Sequence, residues 1–317
     1  MVLAGCFSEI DSRLSLAERP SIGINEYFTV AYPKAAPMQS PRYLSWIVTC
    51  VVLVLFTGCA SGSHTSGPQT IRIMTYNIHH GVGLDSAFDF YRFSNVIINA
   101  HADIVALQDV DRNVARTRKM DLMTKLADLT GMTYTYMKSM DIGGGENGNG
   151  LLTRFPILEE KHVHFRLQSS TQECSLLQLV LDVKGTETVF LNTELNRAGN
   201  DSLQSSNVSE ILDIAAQYPN TPVILVGCMN ITPESKSMTM LRKGFRDIWA
   251  VAGSGNGFTH PSNAPQNRFD YIFVSNQKVP NDTKNLEVSL SPVSATVLAS
   301  NASDHLPLLV ALKVVSE

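Results

Sequence analysis

Polar residues of the types that handle phosphate groups and metal ions recur in this chain beside short apolar runs. Asn77 closes one such run, Asp109 lies near the end of the next, and Asn149 stands just before a third. Glu194 ends a fourth, Cys228 and Asn230 follow a fifth, and Asp270 and the pair Asp304–His305 precede two more. Carboxylates gathered at one end of a set of strands bind a hard cation such as Mg2+, which prefers oxygen donors. A bound cation neutralises a phosphate and activates water together. A histidine beside an aspartate moves a proton or steadies a developing negative charge. Taken singly, each residue has a plainer reading. Asn77, Asn149 and Asn230 suit turns and caps, Asp270 and Asp304–His305 suit strand-end ion pairs, and Cys228 suits a small buried apolar position.

The elements that must position these residues alternate along the chain. Residues 71–78 alternate apolar and polar as a half-buried strand does, and 88–100 carry apolar residues at helical spacing. A strand is predicted at 103–110, a helix at 120–129 stopping at Gly131, and a broken run at 151–158 around Pro156. Residues 176–183 and 188–195 read as paired strands about a Lys184–Gly185 turn. A helix follows at 202–218, then strands at 222–227, 269–275 and 306–315. Gly143–Gly144–Gly145 has no helix at the offset a phosphate loop needs and reads as a flexible loop. With no internal repeat and no second linker, residues 70–317 form one domain. Strands separated by helices fit two packed sheets with helices outside, and pattern alone does not separate this from an open doubly wound sheet.

Seven segments in order carry a family resemblance. They are Thr75-Tyr76-Asn77-Ile78-His79-His80-Gly81, Ala106-Leu107-Gln108-Asp109-Val110-Asp111, Gly148-Asn149-Gly150-Leu151-Leu152-Thr153-Arg154-Phe155-Pro156-Ile157 and Asn192-Thr193-Glu194-Leu195. Gly227-Cys228-Met229-Asn230, Arg268-Phe269-Asp270-Tyr271-Ile272 and Ser303-Asp304-His305-Leu306-Pro307 follow. The series resembles the endonuclease/exonuclease/phosphatase superfamily. The resemblance implies an α/β fold, a four-layer sandwich of two packed mixed β-sheets flanked by helices. It also implies phosphoester, chiefly phosphodiester, hydrolysis with Mg2+ or Mn2+. By the same resemblance Asn77 supports the metal, Asp109 ligates it, Asn149 hydrogen-bonds the scissile phosphate and Asn230 positions water or phosphate. Asp270 orients a catalytic partner, and Asp304 and His305 form the terminal pair.

Three positions depart from the family pattern. Asp109 stands where the family has glutamate, one methylene longer. Glu194 replaces a histidine, and a carboxylate there is expected to repel a phosphate. Cys228 replaces an aspartate that helps activate water, and a thiolate favours softer metals than Mg2+. The alternative function is therefore a catalytically inactive family member serving as a surface-anchored binding module. A thiol-dependent enzyme pairing Cys228 with His305 requires the two to be close.

The chain has 317 residues and a net charge of −4. No cluster of Lys and Arg supplies the basic surface that non-specific nucleic-acid binding needs, so a lipid or small phosphodiester ranks above nucleic acid as substrate. Residues 1–37 read as an over-extended or disordered start, and 38–59 as a signal peptide with the apolar run 46–56 behind Arg42. That run ends at Phe56-Thr57-Gly58-Cys59, which resembles a bacterial lipobox with Phe56 where leucine is usual, making Cys59 the lipidated residue. Residues 60–69 read as a flexible tether. The expectation is an extracytoplasmic monomer, held at the membrane by a lipid or, alternatively, by an uncleaved N-terminal anchor.

Overall fold

Nine residues, Gln69–Asn77, form β1, with Ile71 and Ile73 facing one way and Met74 and Tyr76 the other. The period of two puts an apolar row on each face, so β1 is buried on both sides. A computed structural model of the protein describes residues 69–169, 173–197, 201–276, 279–281 and 286–316. The expected leader, most of the tether and Cys59 lie outside them. The remaining strands are β2 (Ile104–Arg112), β3 (Thr133–Ile142), β4 (Gly145–Thr153), β5 (Ile157–His164), β6 (Ser175–Val183) and β7 (Thr186–Glu194). They continue with β8 (Val223–Cys228), β9 (Phe245–Asp247), β10 (Asp270–Ser275), β11 (Val279–Asn281), β12 (Leu286–Val297) and β13 (Leu308–Ser316). The helices are α1 (Tyr91–Asn99), α2 (Leu122–Thr130), α3 (Asp201–Ala215), α4 (Lys236–Gly244) and α5 (Ile248–Ala252).

The strands make a seven-stranded sheet, ordered β11-β12-β13-β1-β2-β4-β3, and a six-stranded sheet, ordered β5-β6-β7-β8-β10-β9. Both are mixed: β1–β2 and β7–β8 pair parallel and their neighbours antiparallel. Ile71, Ile73, Ala106 and Leu151 of one sheet meet Leu179, Phe190, Val226 and Ile272 of the other in the central core. On the outer face of the first sheet, Met74, Tyr76 and Leu107 pack on Phe93 and Ile97 of α1 and Leu122 and Leu126 of α2. On the outer face of the second, Leu191, Leu225 and Tyr271 pack on Val208 and Ile211 of α3 and Met238 and Leu241 of α4. Helix, sheet, sheet, helix is the four-layer sandwich, and the open doubly wound alternative is excluded.

Local chemistry explains the boundaries. Asp121 caps α2 by accepting from Thr124 N, and Gly131 ends it at φ 64°. Lys184 and Gly185, at φ 58° and 85°, form the two-residue turn between β6 and β7. Gly143 and Gly144, at φ 54° and 78°, make a second such turn between β3 and β4, so this glycine run is a tight hairpin rather than a flexible loop. The broken run at 151–158 belongs to two sheets: β4 ends at Thr153 in one and β5 begins at Ile157 on the edge of the other. Pro156, lacking an N–H, marks the crossover.

Candidate active site

The inward rows of the two sheets are apolar along most of their length and turn polar at one end. On β1 the row 71, 73 continues through Thr75 to Asn77; on β2 the row 104, 106 reaches Gln108. On β4 it runs from Leu151 to Asn149, on β7 from Phe190 through Asn192 to Glu194, and on β8 from Ile224 and Val226 to Cys228. On β10 it runs back from Ile272 to Asp270. Strand pairing aligns these ends, with Asn77 beside Gln108, Glu194 beside Cys228, and Cys228 beside Asp270. One alternation rule thus buries the core and delivers six polar side chains to a single end of the sandwich.

Beneath them lies a satisfied polar layer. Thr75 Oγ1 donates to Gln108 Oε1 at 3.2 Å, Gln108 Nε2 donates to Asn192 Oδ1 at 2.7 Å, and Asn192 Nδ2 donates to the carbonyl oxygens of Leu107 and Gly150 at 3.1 and 2.8 Å. This ties the two sheets together directly below the site. Packing across this end is close: a Cβ on Gly227, at φ 142°, would stand 1.9 Å from the Thr193 carbonyl oxygen.

Asp109 escapes the alternation. The β2–β4 register shifts between Leu107 and Val110, and Asp109 sits in that bulge at φ 52°. Its Oδ2 is 3.3 Å from His80 Nδ1, and its Oδ1 accepts from Asn147 Nδ2 at 2.7 Å. Burial alone would raise its pKa, but His80, Asn147 and Arg116 hold the carboxyl below its ordinary value. His79 and His80, at φ 43° and 45°, bring their rings to 4.3 Å of each other, and one donor atom each of His79, His80 and Asp109 lies within 4.8 Å of the others.

Asp270, which the resemblance sets to orient a partner, meets His305. His305 Nδ1 lies 2.8 Å from Asp270 Oδ2, with the two side chains 1% and 0% exposed. Burial would lower the histidine's pKa; the carboxylates of Asp270, Asp304 and Glu194 reverse that and raise it. Asp304, 3.9 Å from His79 Nδ1 and 3.8 Å from His260 Nε2, is held well below the carboxylate range by His260, His305 and His79, against its burial. Asn230, at φ 51°, donates Nδ2 to the Leu195 carbonyl at 2.8 Å. Asn149 Nδ2 is taken up by Ser175, at 3.3 Å from both its Oγ and its carbonyl oxygen, while Asn149 Oδ1 is buried without a partner.

Glu194 and Cys228 both lie in surroundings that shift their ionisation. Burial first, and the nearby Asp109 charge second, push the Glu194 carboxyl up to about 8. That shift favours the uncharged acid near neutral pH and weakens the expected repulsion of phosphate. Its Oε1 accepts from Asn77 Nδ2 at 3.2 Å, and it joins no cluster of three metal donors among the described residues. Cys228 is fully buried, and desolvation with the Asp270 and Glu194 charges raises its thiol well above the ordinary value. It does lie close to His305, within the 4.8 Å of a shared cluster, yet a thiol so hard to ionise is a poor nucleophile.

His260 went unnoticed in the sequence. Its ring lies tilted 4.7 Å from the His305 ring, and its Nδ1 is buried without a partner. It lies in an irregular loop after the glycines at 253, 255 and 257, where no strand or helix period assigns a direction. Asn147 and Arg116, which hold Asp109 and Asp111, also carried no signal beyond their polarity.

Comparison with known proteins places this arrangement. The family model described as "Endonuclease/Exonuclease/phosphatase family" matches residues 74–305. Among solved structures, the chain is similar to an endonuclease/exonuclease/phosphatase from Beutenbergia cavernae, at TM-score 0.60 and 22% identity over 78% of this chain and 72% of that one. It is similar to a family protein from Leptotrichia buccalis, at TM-score 0.60 and 19% identity over 76% and 98% of the two chains. It also resembles truncated Caenorhabditis elegans TDP2, at TM-score 0.56 and 22% identity over 77% and 97%. At these identities the likeness carries the fold alone. No curated protein matches the sequence.

Proposed function

The chain belongs to the endonuclease/exonuclease/phosphatase family, and on that premise we propose that it is a divalent-metal-dependent phosphodiester hydrolase with a rearranged site. The observation that carries this reading is the buried Asp270–His305 hydrogen bond at 2.8 Å. It fixes one imidazole nitrogen, and the Asp270 carboxylate raises the ring's affinity for a proton with which to face a phosphoryl oxygen. The donor set fits a hard cation: Asp109 stays ionised in its bulge, and the Asn77 carbonyl stands on the adjacent strand end. A divalent cation held by Asp109 and Asn77, Mg2+ or Mn2+, would neutralise substrate charge and activate water. On this reading Asn230 and Asn149 orient the phosphate, and Asp304 beside His305 is a fixed negative charge. Glu194, protonated at neutral pH, donates a hydrogen bond where the family's histidine would. Cys228 takes no part in proton transfer.

The net charge of −4 without a basic cluster favours a lipid or small phosphodiester over nucleic acid. The Cys59 lipobox favours an extracytoplasmic protein held at a membrane. The second reading, an inactive surface module, is favoured by Cys228, whose thiol cannot replace a carboxylate as base.

The deciding experiment is hydrolysis of bis-p-nitrophenyl phosphate across Mg2+, Mn2+, Ca2+ and Zn2+, with Asp109→Ala and His305→Ala as controls. Metal-dependent turnover lost in both controls supports the enzyme. Turnover no greater than the controls with every metal supports the inactive module.

A further inference from the structure

At the floor of the site stand three donors that no phosphate chemistry explains together. Cys228, Asp270 and His305 are exposed by 0%, 0% and 1%. One donor atom from each lies within 4.8 Å of the other two. The backbone enforces the grouping, because Cys228 and Asp270 are register partners on β8 and β10, both inward by alternation, and His305 is bonded to Asp270 Oδ2. Asp270 Oδ1 is buried and has no hydrogen-bond partner. Leaving a charged oxygen so placed is costly, and a cation is the ligand that relieves it. Burial and the neighbouring Asp270 and Glu194 raise the free Cys228 thiol's pKa, so it ionises only as a cation takes its proton's place.

Thiolate, carboxylate and imidazole are the three donor types that Zn2+ takes, with a fourth position left for water. Donors on a tetrahedral Zn2+ stand roughly 3.3–3.8 Å apart, from bond lengths of about 2.0–2.3 Å. A cluster already within 4.8 Å closes onto such an ion with side-chain shifts of about an ångström. Sulfur turns the preference away from Mg2+. We propose that Cys228, Asp270 and His305 form a binding site for a soft or borderline divalent cation, Zn2+ by chemistry, separate from the oxygen donors at Asp109.

A route inward is present. His305 is shared with a second cluster, His260, Asp304 and His305, whose His260 and Asp304 side chains are 24% and 23% exposed. A cation captured there reaches the floor by exchanging two ligands while keeping the third. On binding at the floor, the sulfur–metal and nitrogen–metal bonds form as the Cys228 thiol proton and, where the His305 ring is cationic, one ring proton leave to solvent, so about one to two protons are released per ion.

The site is read by spectroscopy, independent of any turnover. Full-length protein is titrated with Co2+, a spectroscopic substitute for Zn2+. A sulfur-to-cobalt charge-transfer band is expected, saturating at one ion per chain and displaced by Zn2+. Cys228→Ser, folded by circular dichroism, is expected to lose the band and to bind Zn2+ more weakly by more than the roughly 10–100-fold typical of losing an outer-shell partner. Should Cys228→Ser not fold, Cys228→Asp serves in its place and is expected to lose the band while keeping a carboxylate. Asp109→Ala is expected to keep it. Absence of the band in folded wild-type protein, its survival in the Cys228 variant, or its loss in Asp109→Ala overturns the assignment.

Discussion

Where the family resemblance implies a histidine the chain has Glu194, and burial, with the Asp109 charge, pushes its carboxyl up to about 8, toward the uncharged form that can donate a hydrogen bond. The same shift links the residue to stability. A group whose folded pKa lies above its unfolded value stabilises the fold fully below the unfolded value, here near 4.5, and loses that contribution as pH rises through about 8. Metal-free wild-type protein is therefore expected to lose thermal stability relative to Glu194→Gln between pH 5 and pH 9. Parallel melting curves for the two across that range would remove the argument. At His305 the sign is opposite in origin: nearby carboxylates, Asp270 foremost, outweigh burial and raise the pKa. Asp270→Asn is expected to lower the His305 pKa in an NMR titration and to cut turnover by about 100-fold or more. An unmoved histidine titration in that variant would mean that Asp270 does not hold the ring's charge.

At the scale of elements, two backbone features aim the site. The β2 bulge turns Asp109 out of the row that Gln108 completes. Without it the carboxylate would follow strict alternation onto the face where Leu107 packs against α1 and α2. Gly227 lets β7 and β8 approach where their polar ends emerge, with the space for a Cβ only 1.9 Å from the Thr193 carbonyl. Gly227→Ala is expected to destabilise the protein by about 1–3 kcal/mol in urea unfolding, and to displace both Glu194 and Cys228, since these are register partners one residue beyond Thr193 and Gly227. A variant as stable as wild type would show that the strands can separate there at no cost.

At the scale of the whole molecule, Asp109, Glu194 and Cys228 count as a set in the proposed hydrolase. Cooperating catalytic groups are strongly non-additive, so restoring one alone is expected to change little. Asp109→Glu, Cys228→Asp and Glu194→His combined are expected to raise metal-dependent hydrolysis of bis-p-nitrophenyl phosphate at least about tenfold over any single reversion. Equal rates for the triple and single variants would mean that other positions limit turnover. For the anchored reading, Cys59→Ser is expected to move the protein out of the membrane fraction of cells expressing the full chain. Retention there would favour the uncleaved anchor.

The sequence by itself determined the family, several of the central strands and the polar residues that end their apolar rows. Those follow from short-range physics: alternation with period two, a turn at Lys184–Gly185, and a polar residue where each apolar row ends. Only the tertiary structure decided how these residues behave. Residues 151–158 divide between two sheets at Pro156, which cannot donate to a strand ladder, and local pattern does not say which sheet receives the next strand. The register of β8 against β10 sets Cys228 beside Asp270, a pairing separated by 42 positions in the chain. His260 reaches His305 through an irregular loop that has no period to read. The charge state of Glu194 was likewise hidden, because a carboxyl group's pKa is set by its burial and its neighbours' charges, and both exist only once the sheets have packed.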